Sequence, residues 1–341
     1  MTPSLNDLLK RTSRSFYLTL RVLPRAVRPQ ISLAYLLART TDTVADTELV
    51  PPAQRLEALE QLRARILGKS ATPLDFRKLA QQQGSPAECT LLERCEDSLA
   101  VLQTLSAADL QLVRDVLNVI ISGQELDLQR FAGATEKNVV ALQSENELDD
   151  YTWRVAGCVG EFWTKMCRAH LFPGAKLDDA RLLADGIRFG KGLQLVNILR
   201  DLPADLHQGR CYLPVDKLKE LGLSPADLLQ PANEPRVRPL YNAWLDRAQA
   251  HLRAGWTYTN TLPWGQIRVR LADIDRRPKP GPPPHGQRAR SPDPHQDPAP
   301  GSPKPHVANH PALSPSGRMA PSRPPGLKTR CRSTLPPPML G

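Results

Sequence analysis

Two groups of acidic residues are spaced for chemistry. In AYLLARTTDTVADT, Asp42 and Asp46 are four residues apart, so on a helix both carboxylates project from one face. Arg39 lies three residues before Asp42 and Tyr35 seven before it, on roughly the same face. In GLQLVNILRDLPADLHQGRCYLP, Asn197, Asp201 and Asp205 fall at i, i+4 and i+8, with Gln194 at i−3. Like charges stacked on one face repel unless a cation sits between them. Oxygen-only donors suit a hard ion such as Mg²⁺, which keeps several waters and takes substrate phosphates as further ligands. Two such faces opposed across a cavity would hold Mg²⁺ ions on a diphosphate. Arg14, Arg39, Arg200 and Arg210 would add charge-assisted hydrogen bonds to its oxygens.

A single D-x-x-x-D on a helix is usually a solvated face. The flanks here are not solvent-like: Leu36, Leu37, Ala38 and Val44 surround the first pair, and Leu193, Leu195, Val196, Ile198 and Leu199 the second. Helices must therefore carry both groups into an apolar interior, and the pattern provides them. Leu56, Leu59, Leu62 and Ile66 recur on one helical face, as do Leu110, Val113, Leu117, Ile120 and Ile121. No strict period-2 alternation is found, so no strand is expected. Proline and glycine punctuation falls between the helical stretches, as at Pro51-Pro52, Pro173-Gly174 and Ser224-Pro225. The reading is one all-α domain over residues 1–272.

The chain changes character after Ala272. Of 341 residues and 34 prolines, 69 residues and 19 prolines lie from Asp273 to Gly341, with 11 Lys and Arg against 4 Asp. That segment contributes +7 of the formal net charge of +10, and its composition is that of a disordered tail. The remaining +3 on the helical part argues against a nucleic-acid binder, and the tail lacks aromatic residues on which bases would stack. No apolar run approaches the ~20 residues that span a bilayer. The first residues carry no secretory h-region, and six cysteines without zinc-ligand spacing read as reduced thiols of a cytoplasmic protein.

Four ordered segments resemble the squalene/phytoene synthase family of isoprenoid synthases. TSRSFYLTLRVLP resembles its N-terminal substrate segment, with Ser13, Arg14, Ser15 and Phe16 in place. AYLLARTTDTVAD resembles the first aspartate-rich motif. YTWRVAGCVG resembles the Tyr-x-x-Tyr-Val-Ala-Gly segment, and QLVNILRDLPADLHQGRCYLP the second aspartate-rich motif with its Arg-x-Tyr-Leu-Pro. The resemblance covers about Leu5 to Leu271. It implies the class I isoprenoid synthase helical bundle around a central cavity, and head-to-head (1′-1) condensation of two prenyl diphosphates through a cyclopropylcarbinyl diphosphate.

On that resemblance Asp42, Asp46, Asn197, Asp201 and Asp205 are the Mg²⁺ ligands, and Tyr151, with Tyr35, is the catalytic group. Ser13, Arg14, Ser15, Phe16, Arg39, Gln194, Arg200 and Arg210 bind substrate. Asp-Thr-Val in the first motif looks more like squalene synthases, which implies farnesyl diphosphate as substrate, NADPH as reductant of a second step and peripheral contact with the inner membrane face. Phytoene and dehydrosqualene synthases are the alternatives. A non-catalytic scaffold of the same fold is the alternative of another class, and the retained acids speak against it. The sequence departs from the family at Ala45 and Ala204, where Glu is frequent, and at Arg154, which replaces the second Tyr. Pro203 removes a helical N–H, so Asp205 is expected past a kink.

The family resemblance stops within one or two residues of Ala272, in mid-helix and without a cap, where members continue with apolar helix. A jump to Pro, Arg, His, Gly, Ala and Ser is what a shifted reading frame gives in G+C-rich DNA, so the residues from about 273 are expected to be a frameshift product. Translating the source DNA in the other two forward frames across codon 272 tests this. An apolar helical continuation is expected; stop codons or low-complexity sequence in both frames would refute it.

Overall fold

The computed structural model describes residues 2–13, 16–266 and 269. The expectations for Arg14, Ser15 and the tail at 273–341 lie outside the described residues. Thirteen α-helices run through the described chain: α1 (Pro3–Ser13), α2 (Phe16–Val22), α3 (Arg28–Ala45), α4 (Pro52–Ile66), α5 (Arg77–Ala80), α6 (Pro86–Glu93), α7 (Cys95–Leu102), α8 (Ala107–Arg130), α9 (Glu145–Thr152), α10 (Cys158–His170), α11 (Asp179–His207), α12 (Val215–Glu220) and α13 (Glu234–Thr261). A π-helical turn, Trp153–Gly157, joins α9 to α10. The all-α reading therefore holds, with one exception. The two-residue strands β1 (Val140–Ala141) and β2 (Arg210–Cys211) pair in parallel, Val140 opposite Arg210. Two residues are too few to show period-2 alternation in a sequence.

Helix α3 is the axis of the bundle. Every residue from Ile31 to Ala45 except Arg39 is buried, the signature of a helix surrounded by others. Its threonines do not leave hydroxyls unsatisfied. Thr40 donates to the Leu36 carbonyl (2.9 Å) and Thr43 to the Arg39 carbonyl (2.8 Å). Against α3 and α4 packs α8, started by Ser106, whose hydroxyl accepts from the Asp109 N–H at 3.2 Å. The apolar stripes read in the sequence are its buried face: Val113, Leu117, Ile120 and Ile121 sit in the core with Leu59, Leu62 and Ile66 of α4.

Helix α11 begins at the Asp178 cap, whose carboxylate accepts from the Arg181 N–H (3.0 Å), and runs 29 residues. It continues through Pro203 to His207, so Asp205 lies on the helix itself and not beyond its end. Pro203 falls in the penultimate turn, where losing one N–H disrupts least of the ladder. Helix α10 and the π turn approach α11 backbone to backbone. A Cβ at Gly160 would stand 2.0 Å from the Gly186 carbonyl oxygen, and one at Gly190 would stand 2.2 Å from that of Ala156. No side chain fits at either crossing, so these glycines set how closely α11 lies against α10 and the π turn.

Candidate active site

A cavity of about 80 Å³ opens between α3, α8, the α9–π segment, α11 and β2. Asp42, Ala45 and Asp46 line it from α3, and Ile120, Gly123, Gln124, Asp127 and Leu128 from α8. Tyr151, Val155, Gln194 and Arg210 complete it. Five residues singled out in the sequence, Asp42, Asp46, Tyr151, Gln194 and Arg210, thus meet in one space although the first and last are 168 residues apart. Local folding explains how. Asp42 and Asp46 fall at the C-terminal end of α3, where the helix ends with the Asp46 N–H bonded to the Asp42 carbonyl. Tyr151 sits in the last turn of α9, just before the π turn, an irregularity common at functional sites. Arg210 follows Gly209, whose φ of +80° turns the chain out of α11. A Cβ there would meet the Thr135 backbone at 2.3 Å. The β1–β2 ladder then fixes the turn through the Val140 N–H and the Gly209 carbonyl (2.9 Å).

Other candidates have partners of their own. Arg39 is held by Glu88 of α6 (2.5 Å) and lies 3.7 Å from Asp42. Asp201 is gripped by its neighbour Arg200, Nε to Oδ1 at 2.8 Å and a terminal nitrogen to Oδ2 at 2.7 Å. Neither Asp201 nor Asn197 lines the cavity in this arrangement; Asn197 Nδ2 faces Gln194 Oε1 at 3.5 Å. Ser13 is buried and donates to the Leu9 carbonyl (2.5 Å), and Phe16 packs on Tyr35 with ring centroids 5.1 Å apart. Tyr35 is a core side chain and is not part of the cavity wall. Arg154 pairs with Asp150 (2.8 Å) and donates to Ser122 (2.7 Å), which takes it away from the cavity.

Three residues escaped the sequence reading. Gln124 donates to Asp42 Oδ1 at 2.5 Å, Asp127 lines the cavity, and Glu88 holds Arg39. Gln124 and Asp127 are three apart on α8, a spacing that would have placed both on one face. Glu88 had no signal at all, because its role depends on a contact 49 residues away.

The electrostatics of this wall are those of crowded acids in a dry place. Burial lifts the Asp42 carboxyl well above the usual range, against the pull of Arg39, and the charge of Asp46 adds to the rise. Burial pushes Asp46 up to about 7 although Arg39 and Arg210 pull it down. Asp205 of α11, which does not line the cavity, is also pushed up to about 7 by burial, with Asp201 adding, and Asp127 to about 6 by burial alone, with Tyr212 and Arg210 opposing. Asp42 Oδ2 and Asp127 Oδ1 are buried without a hydrogen-bond partner. Among the described residues no three His, Cys, Asp or Glu side chains converge on one point. Oxygen-only donors, short of positive charge and with free lone pairs, fit a hard cation that also draws ligands from a bound anion.

The match to the squalene/phytoene synthase family extends over residues 9–272, and the chain belongs to this family. A bifunctional lycopene cyclase/phytoene synthase of Colletotrichum graminicola is 29% identical over 71% of this chain, which spans only 39% of that relative's length. A presqualene diphosphate synthase of Rhodopseudomonas palustris is 29% identical over 73% of this chain and 75% of the relative. The crystal structure of a squalene synthase from Alicyclobacillus acidocaldarius superposes with a TM-score of 0.55 at 21% identity, covering 80% of this chain and 89% of that one. The isoprenoid synthase bundle expected from the sequence is thus the fold observed.

A carboxyl whose pKa is raised on folding costs the fold stability once pH passes its unfolded value near 3.8, and costs it fully above the folded value. For Asp46 that window runs from about 4 to about 7. Asp46→Asn is therefore expected to raise the metal-free Tm at pH 8 and to leave it nearly unchanged at pH 4. Thermal unfolding in EDTA at the two pH values measures this, and an equal effect at both would contradict the assignment.

Proposed function

We propose that this protein condenses two prenyl diphosphates head to head, with farnesyl diphosphate as substrate and a cyclopropylcarbinyl diphosphate as first product. The observation that carries the reading is the single cavity in which Asp42, Asp46, Gln194, Arg210 and Tyr151 meet. The presqualene diphosphate synthase relative, most of whose length this chain spans, supports it.

Asp42 and Asp46 from α3, with Asn197, Asp201 and Asp205 from α11, would hold Mg²⁺, which when bound supplies charge neutralisation to the departing diphosphate. Asp201 joins such a set once Arg200 releases it, and Arg200 is then free to meet the anion. Arg210 faces the cavity and donates to diphosphate oxygens. Glu88 holds Arg39 beside Asp42, so its guanidinium is in place before substrate arrives. Ile120, Leu128 and Val155 give the cavity an apolar wall that keeps water from an allylic cation. Burial keeps the Tyr151 phenol protonated across the ordinary pH range, which leaves its oxygen and ring as uncharged groups facing that cation. At about 80 Å³ the cavity is smaller than the ~300–1,000 Å³ usual for ligand sites, so its walls part when substrate enters.

Onward reduction to squalene with NADPH is the finer part of the proposal. Among the described residues there is no glycine-rich strand-to-helix cradle, so this part rests on family resemblance. Phytoene synthesis from a C20 diphosphate is the second reading, favoured by the phytoene synthase relatives. Contact with a membrane surface is also proposed. Among the described residues no helix is long and apolar enough to cross a membrane, but α2 exposes Leu18 and Val22, one turn apart, beside the exposed Arg21 and Arg25. That is a small amphipathic, basic face of the interfacial kind.

Incubating the full chain and Mg²⁺ with C15 or C20 diphosphate, with and without NADPH, decides between the readings. A C30 cyclopropylcarbinyl diphosphate is expected without NADPH and squalene with it; phytoene from the C20 substrate would overturn the chain length. Asp42→Asn and Asp201→Asn are each expected to lower turnover by at least ~100-fold while helical circular dichroism is kept, and near wild-type activity would remove that carboxylate from the site. In vesicle flotation the protein is expected to rise with anionic vesicles, and Leu18→Ser/Val22→Ser to stay at the bottom. Equal flotation of both would exclude α2 as the contact.

A further inference from the structure

Asp127 lines the cavity, yet the proposed reaction gives it no task. It stands on α8, outside both acidic motifs. Its Oδ2 accepts a hydrogen bond from the Tyr212 hydroxyl at 2.6 Å, while Oδ1 is buried with no partner. Tyr212 follows β2 and is almost fully buried. One face of its ring stacks on Tyr151, with centroids 4.7 Å apart and planes 27° apart, and Phe131 meets it edge-on at 5.3 Å and 67°. Phe131 wedges the Tyr212 ring, Asp127 fixes its hydroxyl, and Tyr151 lies between it and the cavity. Burial lifts the Tyr151 phenol and the neighbouring Tyr212 hydroxyl partly offsets the rise, so the stacked pair is coupled electrostatically as well as by ring contact.

The geometry points to Asp127 as the positioning residue and final proton acceptor of a carboxylate–phenol–phenol relay, Asp127–Tyr212–Tyr151, that serves the ring-closing step. This deepens the proposed condensation and rests on it. In that step a C–H bond of the condensing cation breaks and its electron pair forms the last bond of the cyclopropane. The proton passes to the Tyr151 oxygen as the Tyr151 hydroxyl proton moves to Tyr212 and that of Tyr212 moves to Asp127 Oδ2. The cation ends neutral, the carboxylate ends as a carboxylic acid, and both phenols are regenerated.

A phenol alone is a poor base near neutral pH: it gives up its own proton only near pH 10, so almost no phenolate is present to accept one. Coupled to an acid that folding has pushed to about 6, the same phenol passes a proton to an acceptor ionised at neutral pH. The charged and titratable groups around Asp127 are Tyr212 and Arg210 from the β2 segment, Arg130 on its own helix, Asp205 of α11 and Tyr151 of α9. Arg210 and Arg130 favour its charged form, and Asp205 opposes it.

Steady-state formation of the C30 cyclopropylcarbinyl diphosphate by the full chain tests this, with three variants and one double variant. Asp127→Asn keeps the shape and an oxygen that accepts from Tyr212, but it takes up no proton. It is expected to lower kcat about 100-fold with KM within about twofold, and to lack the acidic limb near pH 6 that the relay predicts for the wild-type kcat. Tyr212→Phe is expected to lose a similar factor. The Asp127→Asn/Tyr212→Phe double variant should be no slower than the slower single, because the residues act as one unit. Asp127→Glu is expected to restore part of kcat and the acidic limb. A kcat for Asp127→Asn within threefold of wild type, or multiplying losses in the double variant, would overturn the relay and leave the condensation standing. If Asp127→Asn loses its helical circular dichroism, Tyr212→Phe and Asp127→Glu carry the same comparison. Absence of product from the wild type with either substrate would sink the condensation itself, and the relay with it.

Discussion

The arrangement of this protein hangs on keeping several carboxylates out of water. Asp42, Asp127 and Asp205 are each largely removed from solvent, and Asp46 joins them at the same end of the bundle. An isolated charge in such surroundings is costly, and like charges near one another are costlier. Folding pushes the carboxyls towards their neutral forms, and cationic company relieves the strain. The protein's own cations meet only part of the need. Arg39 is shared between Asp42 and Glu88, and Arg200 holds Asp201. What is left is buried acid without matching positive charge, and it is there that the proposed Mg²⁺ and diphosphate would settle.

Such a region needs a rigid surround, or the helices would swing their acids into solvent. Helix α3, buried on nearly every side, cannot rotate without exposing its leucines. Helices α10 and α11 touch through glycines, and the short parallel ladder clamps the turn that carries Arg210. Gln124 reaches from α8 to Asp42 and so ties the wall opposite to the first acid pair. Each device is small, yet together they turn separate helices into one frame.

Much of this was legible in the sequence, and the rest was hidden for definable reasons. The i, i+4 acids announce themselves because helical spacing is a local property, and their apolar flanks separate them from a solvated face. Period 3.6 foretold the buried stripes of α4 and α8. Asp127 stayed invisible because it is one acid on a helix with no second acid a turn away, and its partner Tyr212 is 85 residues distant. Glu88 escaped for the same reason. Pro203 is held inside α11, which stays helical through it to His207. Tyr35 shares a helix face with the acids but belongs to the core, because helical spacing fixes direction and not how far a cavity extends.

The glycine crossings between α10 and α11 also restrict how this scaffold can change over generations. These glycines do not line the cavity, but where backbones already touch no larger residue is accepted, so a lineage cannot shift α11 against its neighbours there by gradual substitution. Any enlargement there would clash at once and be eliminated. Room for a longer or shorter ligand must come from the cavity wall itself, where Ile120 and Leu128 of α8 offer side chains that can be exchanged one methylene at a time. The structure thus separates a face that heredity must leave alone from one on which it is free to experiment. Product length in descendants of this fold is expected to drift along α8 while the α10–α11 seam stays fixed.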